Sequence, residues 1–126
     1  MSSPLFERQV RDYPPMSKFG TVKVAGSSMA PAYNAGDWLL VRFFAGPPGQ
    51  KYGDRLVGKV VVIEREERPG IFLVKRLQKT HGEIYWVQGD NDESTDSRTW
   101  GWIPANELVG KVVLRYKKGK SNSQRS

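Results

Sequence analysis

The chain has 126 residues, with 38% hydrophobic and 11% aromatic content, enough to bury one core and to be read as a single domain. Twenty basic residues against thirteen acidic ones give a net charge of +7, which admits an acidic partner, a nucleic acid or an anionic surface. No cysteine is present, excluding disulfides and thiolate metal sites, and no apolar run approaches the roughly 18 residues of a membrane span. The nearest approach, Trp38 to Ala45, is broken by Arg42.

Residues 1–19 read as an N-terminal arm, in which Leu5 to Val10 could form a turn or two of helix before Pro14 and Pro15 stop it. The arm lacks a basic patch followed by an apolar stretch, so no secretory signal is expected and the cytoplasm is the default compartment. Residues 20–116 read as a mainly β domain of short antiparallel strands with little helix. The predicted strands are Thr21–Ala25, Trp38–Phe44, Val57–Glu64, Ile71–Lys79, Ile84–Gln88 and Leu108–Tyr116, each rich in Val, Ile, Leu and aromatics. Turn chemistry separates them at Gly46-Pro47-Pro48-Gly49, Arg68-Pro69-Gly70, His81-Gly82 and Gly89-Asp90-Asn91. Residues 117–126 carry no apolar side chain and read as a disordered basic tail. His81, the only histidine, falls in a turn and gives neither a triad nor a zinc site; no cofactor or metal is expected.

Two residues stand out as candidate chemistry. In a strand, Ile71, Leu73, Lys75 and Leu77 share one face, which surrounds the Lys75 amine with apolar neighbours. Burial penalises the charged form and lowers a lysine pKa, turning the amine into a usable general base. The alternative is a stem lying on Leu73 and Leu77 with its head in solvent. Ser28 lies in Gly26-Ser27-Ser28-Met29-Ala30-Pro31, between a strand and the turn Gly36-Asp37. Gly26 allows close backbone approach and Pro31 stiffens the chain, which suits a nucleophile and an ordinary serine turn alike. A serine and a lysine on packed elements can act as nucleophile and base.

These residues carry a family resemblance. Gly26 to Val41 resembles the serine block of the signal peptidase I family, and Val74-Lys75-Arg76 resembles its lysine block. Gly89 to Pro104, followed by Leu108 to Lys111, resembles its last motif. The resemblance implies that Ser28 is the nucleophile, that neutral Lys75 is its base, and that Ser94 hydrogen-bonds and orients the lysine. Asp96 and Arg98 would pair to brace the site. The Ser28 backbone N–H would supply one oxyanion donor. Gly26 occupies the place of a second donor in some members, so Ser27 or a backbone group would have to replace it. Gly26, Met29 and Pro31 are expected along the substrate groove.

The chain is similar to the short, soluble branch of that family, which is typified by the protease that matures nickel-type superoxide dismutase. That likeness implies removal of an N-terminal propeptide from a dismutase precursor. Related LexA-type regulators cut themselves at an upstream Ala-Gly bond, but here Ala25-Gly26 and Ala45-Gly46 both lie in the core region. Two further readings are a small basic β-barrel, stacking nucleic acid on Trp86, Trp100, Trp102 and Tyr116, and peripheral membrane contact through Trp100, Trp102 and basic residues.

Overall fold

A computed structural model of the chain describes residues 17–119. Seven strands form one antiparallel sheet: β1 (Ser17–Lys23), β2 (Trp38–Phe44), β3 (Val60–Ile63), β4 (Leu73–His81), β5 (Ile84–Gln88), β6 (Ile103–Pro104) and β7 (Leu108–Lys117). Their order is β1-β2-β7-β3-β4-β5-β6, so β7, the last strand in sequence, is inserted between β2 and β3. The helices are short: α1 (Gln50–Arg55), α2 (Ser97–Trp100) and a 3-10 turn at Ala105–Glu107. The expected β-rich architecture is observed. Among the described residues no helix is long and apolar enough to cross a membrane.

The sheet is buried on both sides at its centre, which explains why β3 is an unbroken run of Val60-Val61-Val62-Ile63. Val61 and Ile63 enter one core with Leu77, Tyr85, Ile103 and Leu108. Val60 and Val62 enter a second with Met29, Leu39, Val41 and Val74. Elsewhere burial alternates along the strand, as in β5, where Tyr85 and Val87 point inward.

Several boundaries differ from the sequence reading. Ser17, Lys18 and Phe19 belong to β1, because pairing with β2 runs from Ser17 opposite Phe44 to Lys23 opposite Trp38. The segment predicted from Val57 begins as a strand only at Val60, because Gly58 adopts φ +88° and its N–H donates to the Leu77 carbonyl at 2.7 Å. Ile71 and Phe72 precede β4 and are exposed, while the strand runs on to His81. Helix α1 carried too little signal to be foreseen. It is six residues long and sends Tyr52 into the first core, and Gly53 leaves room for the Tyr85 ring. The helical turn expected at Leu5–Val10 lies outside the described residues, as does the basic tail beyond Gly119.

Asp37 ties three parts of this frame together. It is 2% exposed, and its carboxylate accepts the N–H of Asn34 at 2.8 Å, the N–H of Gly119 at 2.7 Å and Arg115 at 3.2 Å. Burial alone would raise its pKa, but these donors together hold it below the usual carboxylate value. The Asp37 carbonyl also accepts the Val24 N–H at 2.8 Å, closing the base of the loop between β1 and β2.

Asp37→Asn replaces an acceptor oxygen by an N–H₂ group among these donors. It is expected to cost about 2–4 kcal/mol at neutral pH, read by urea unfolding. A depressed native pKa stabilises the fold above the unfolded value and is lost as pH falls through the native one, so the difference between the two proteins should shrink in acid.

Candidate functional site

The loop carrying Ser28 is held at both ends and in the middle. Its base is closed by Val24 N–H to Asp37 carbonyl and Gly36 N–H to Val24 carbonyl, both 2.8 Å. Within it, Ala30 N–H donates to the Ser27 carbonyl at 3.0 Å and Tyr33 N–H to the Met29 carbonyl at 2.9 Å. Gly26 supplies a positive φ of +87°, which side-chain-bearing residues rarely adopt. Met29 is only 1% exposed and packs into the second core, so the residue after Ser28 anchors the loop. Ser28 itself stays half-buried. Among the described residues no acceptor takes its backbone N–H.

Lys75 sits on β4 opposite Val61 of β3, with 4% exposure. Ser28 and Lys75 line the same cleft of about 190 Å³, whose walls are Val22 to Ala25 on one side and Ile71 to Val74 on the other. Met29 also lines it; Gly26 and Pro31 lie exposed outside the lining, where the resemblance had put groove residues. Among the described residues no hydrogen bond or ion pair holds the Lys75 amine. Burial lowers its pKa from the ordinary 10.5; the Asp96 carboxylate pulls it back up, the Arg98 guanidinium pushes it down, and the balance is downward.

The third motif folds into a compact knot around Asp96, which is wholly buried. Its carboxylate accepts the N–H of Gly89 at 2.7 Å, the N–H of Arg98 at 3.0 Å, and a two-pronged contact from the Arg98 guanidinium at 3.0 and 2.7 Å. Burial alone would raise the Asp96 pKa, but Arg98, Ser94 and the two backbone donors hold it far below the usual carboxylate range. The resemblance assigns the Ser94 hydroxyl to the lysine. In the structure it donates to Asp96 instead, an ionised carboxylate being the stronger acceptor, and it accepts from the Gly89 N–H at 3.1 Å.

Two links from this knot to the other motifs were not foreseen. Asn91 N–H donates to the Ser28 carbonyl at 2.9 Å, joining the third motif to the serine loop. Asp90 accepts from Arg76 at 2.9 and 2.8 Å, joining it to the strand residue beside Lys75. All four partners lie within the three motifs, but nothing in the local sequence pairs them. Gly89 is both a turn residue and the first residue of the third motif. A side chain there would run into the Ser28 carbonyl and Ser94, so only glycine fits at the meeting point of two motifs.

Away from the cleft, Trp86 and Trp102 meet edge-on at 5.4 Å, with the Lys79 amine 4.9 and 5.5 Å from their ring centres. Trp100 packs on the first core under the Arg65 guanidinium, at 4.4 Å. Of the aromatics considered as stacking surfaces, Trp86 and Trp100 are thus engaged with their neighbours, while Trp102 and Tyr116 remain exposed. Among the described residues no group of three His, Cys, Asp or Glu side chains could hold a metal ion.

Gly89→Ala is expected to lose about 1–3 kcal/mol through overpacking and to displace the Ser28 carbonyl, visible as chemical-shift changes at Ser28 and Asn91. Lys75→Met tests the burial of the amine. A base whose native pKa is depressed destabilises the fold below that pKa, and the penalty fades as pH rises towards 10.5, the unfolded value. The variant should therefore be more stable than wild type at pH 7, by on the order of 1 kcal/mol, with the gap closing in alkali.

The family model for "Signal peptidase, peptidase S26" matches residues 78–117, the region from the middle of β4 to the end of β7. The chain is 29% identical over 119 residues to the mitochondrial ATP-independent inner membrane protease subunit 1a of Arabidopsis thaliana, covering 75% of this chain and 68% of that protein. Shorter matches join it to signal peptidase I of Buchnera aphidicola, 58% identical over 31 residues, and of Aquifex aeolicus, 49% identical over 37. These cover 24% and 29% of this chain but only 10% and 14% of the two bacterial proteins. Taken together, the family model and these relatives support the signal peptidase S26 family, a family of proteases, for this chain.

Proposed function

We propose that the protein is a serine endopeptidase in which Ser28 and Lys75 form the catalytic dyad. The observation that supports this most is the cleft lined by both residues, in which the lysine is almost wholly buried. The neutral Lys75 amine takes the Ser28 hydroxyl proton as the Ser28 oxygen bonds to the scissile carbonyl carbon. The resulting oxyanion accepts a hydrogen bond from the Ser28 backbone N–H. The Lys75 ammonium then gives its proton to the leaving amine as the C–N bond breaks, leaving an ester on Ser28. Water, deprotonated by Lys75, attacks this ester; the Ser28 oxygen leaves, regains its proton and frees the new carboxylate.

Asp96 and Arg98 act as positioning residues. Their mutual neutralisation keeps a carboxylate near Lys75 without fixing a proton on the amine. Ser94 acts through Asp96. The cleft walls, Val22 to Ala25 and Ile71 to Val74, suit an extended peptide laid between two chain segments.

We further propose that the cleaved bond joins an N-terminal propeptide to a precursor protein in the cytoplasm, with the nickel superoxide dismutase precursor as substrate. The support is the resemblance of the chain to the short branch of the family. Intact-mass spectrometry of that precursor, incubated with wild type and with Ser28→Ala, tests the proposal. A defined N-terminal peptide should be lost with wild type only. An unchanged precursor mass with folded wild-type enzyme would reject this substrate.

Ser28→Ala and Lys75→Met should each lower kcat by about 10³-fold or more, with the fold retained by circular dichroism. The wild-type rate should climb with pH, with its midpoint below 10.5, because activity requires the unprotonated amine. A flat profile between about pH 6 and 10 would remove lysine as the base.

A further inference from the structure

A second cleft, of about 350 Å³, opens beside the first and is lined by Lys23, Gly36, Trp38, Lys117, Lys118 and Gly119. Its lining contains three lysines and no carboxylate. Lys23 lines both clefts, so the two share a wall. The Lys23 amine stands 5.7 Å from the centre of the Trp38 ring. Trp38 is paired with Lys23 across β1 and β2 and with Lys117 across β2 and β7, so the sheet register itself gathers these groups.

The cleft is built by close contacts on the buried Asp37. Gly119 donates its N–H to Asp37 at 2.7 Å and fits so closely on Ala35 and Gly36 that no side chain could be added there. This seat fixes the chain just after Lys117 and Lys118. The nearby Asp37 charge does not cancel the lysines, because Arg115 and two backbone N–H groups already engage it. Among the described residues no carboxylate forms an ion pair with Lys23, Lys117 or Lys118.

We propose that Lys23, Lys117 and Lys118 form an anion subsite that takes an acidic side chain of the peptide substrate, making an Asp or Glu near the cut a determinant of specificity. The inference rests on the peptidase reading above. A peptide extended along Val22 to Ala25 passes Lys23, and a side chain leaving at that end enters the second cleft. Lysine ammonium groups are compact point charges on flexible stems, suited to a carboxylate arriving in varied geometry. Exposed charge pairs contribute modestly, so the subsite grades substrates and does not hold them tightly.

Two measurements test it. Wild-type enzyme is first profiled on a proteome-derived peptide library, and the best-cleaved sequence is synthesised with Glu and with Gln at the enriched position. The Glu peptide should show a kcat/KM about threefold to tenfold higher, mostly through KM. In Lys117→Gln/Lys118→Gln the ratio should fall to about one, as it should for wild type at about 0.5 M salt, where exposed charges are screened. Lys23 is left intact because it also lines the first cleft.

Separately, hexaglutamate and hexaglutamine are titrated while tryptophan fluorescence is followed, with Trp38→Phe identifying the reporter. Hexaglutamate alone should give a saturable change, lost in the double variant. Equal cleavage of the Glu and Gln peptides, or hexaglutamate binding that survives in the double variant, would overturn the subsite. Lysine-dependent binding to phosphatidylglycerol vesicles without any peptide preference would overturn the peptide as its occupant. Hexaglutamate binding that depends on the two lysines, with no peptide cleaved, would uphold the anion cleft and instead reject the peptidase reading.

Discussion

The geometry of the candidate site depends on one buried charge, the carboxylate of Asp96. A wholly buried carboxylate is costly unless its lone pairs are met by donors, and here backbone N–H groups, a hydroxyl and a guanidinium meet them. Satisfying that charge bends residues 89–98 into a knot. The same bend brings Asn91 to the Ser28 carbonyl and Asp90 to Arg76. A polar network in a buried place thus does what a hydrophobic contact could not: it fixes two separate segments in direction as well as distance.

The same network sets the electrical environment of Lys75. A lone carboxylate close to a buried amine would favour the ammonium and defeat a role as base. Arg98 offsets this, because its positive charge faces the same carboxylate and opposes the proton on Lys75. Desolvation by the flanking strands is then the largest influence and lowers the pKa. The pairing of Asp96 with Arg98 is therefore a means of keeping structure-forming charge near the lysine while leaving the amine able to lose its proton.

Much of this was legible in the sequence because period-two alternation and turn residues are local signals. The bounds of β2 and β5 match their hydrophobic runs, and the alternation around Lys75 anticipated its burial. What was not legible depended on contacts distant in sequence. The resemblance placed Met29 along the groove, and it does line the cleft, but its burial in the second core, which anchors the serine loop, had no local signal. Ser94 looked free to serve the lysine, but the stronger acceptor lies two residues along its own chain. Helix α1 and the 3-10 turn are too short for a periodic pattern to emerge, and tertiary packing decides them. Gly89 showed as a turn residue at the head of the last motif, but its crowding was hidden because it comes in part from Ser28, far away in sequence.

Asp37 extends the argument from one cleft to two. Its carbonyl closes the serine loop, while its carboxylate holds the end of the chain described beyond β7. The loop bearing the candidate nucleophile and the segment bearing Lys117 and Lys118 are consequently built on the same residue. Movement of either would strain a carboxylate with few alternative donors, so the two clefts are held in a constant relation. A peptide crossing the wall at Lys23 would meet both as one preformed surface, with little ordering left to be done on binding. Weak exposed charges on flexible stems discriminate usefully only when the backbone that carries them is held, and a buried aspartate at the junction of β1, β2 and β7 holds it.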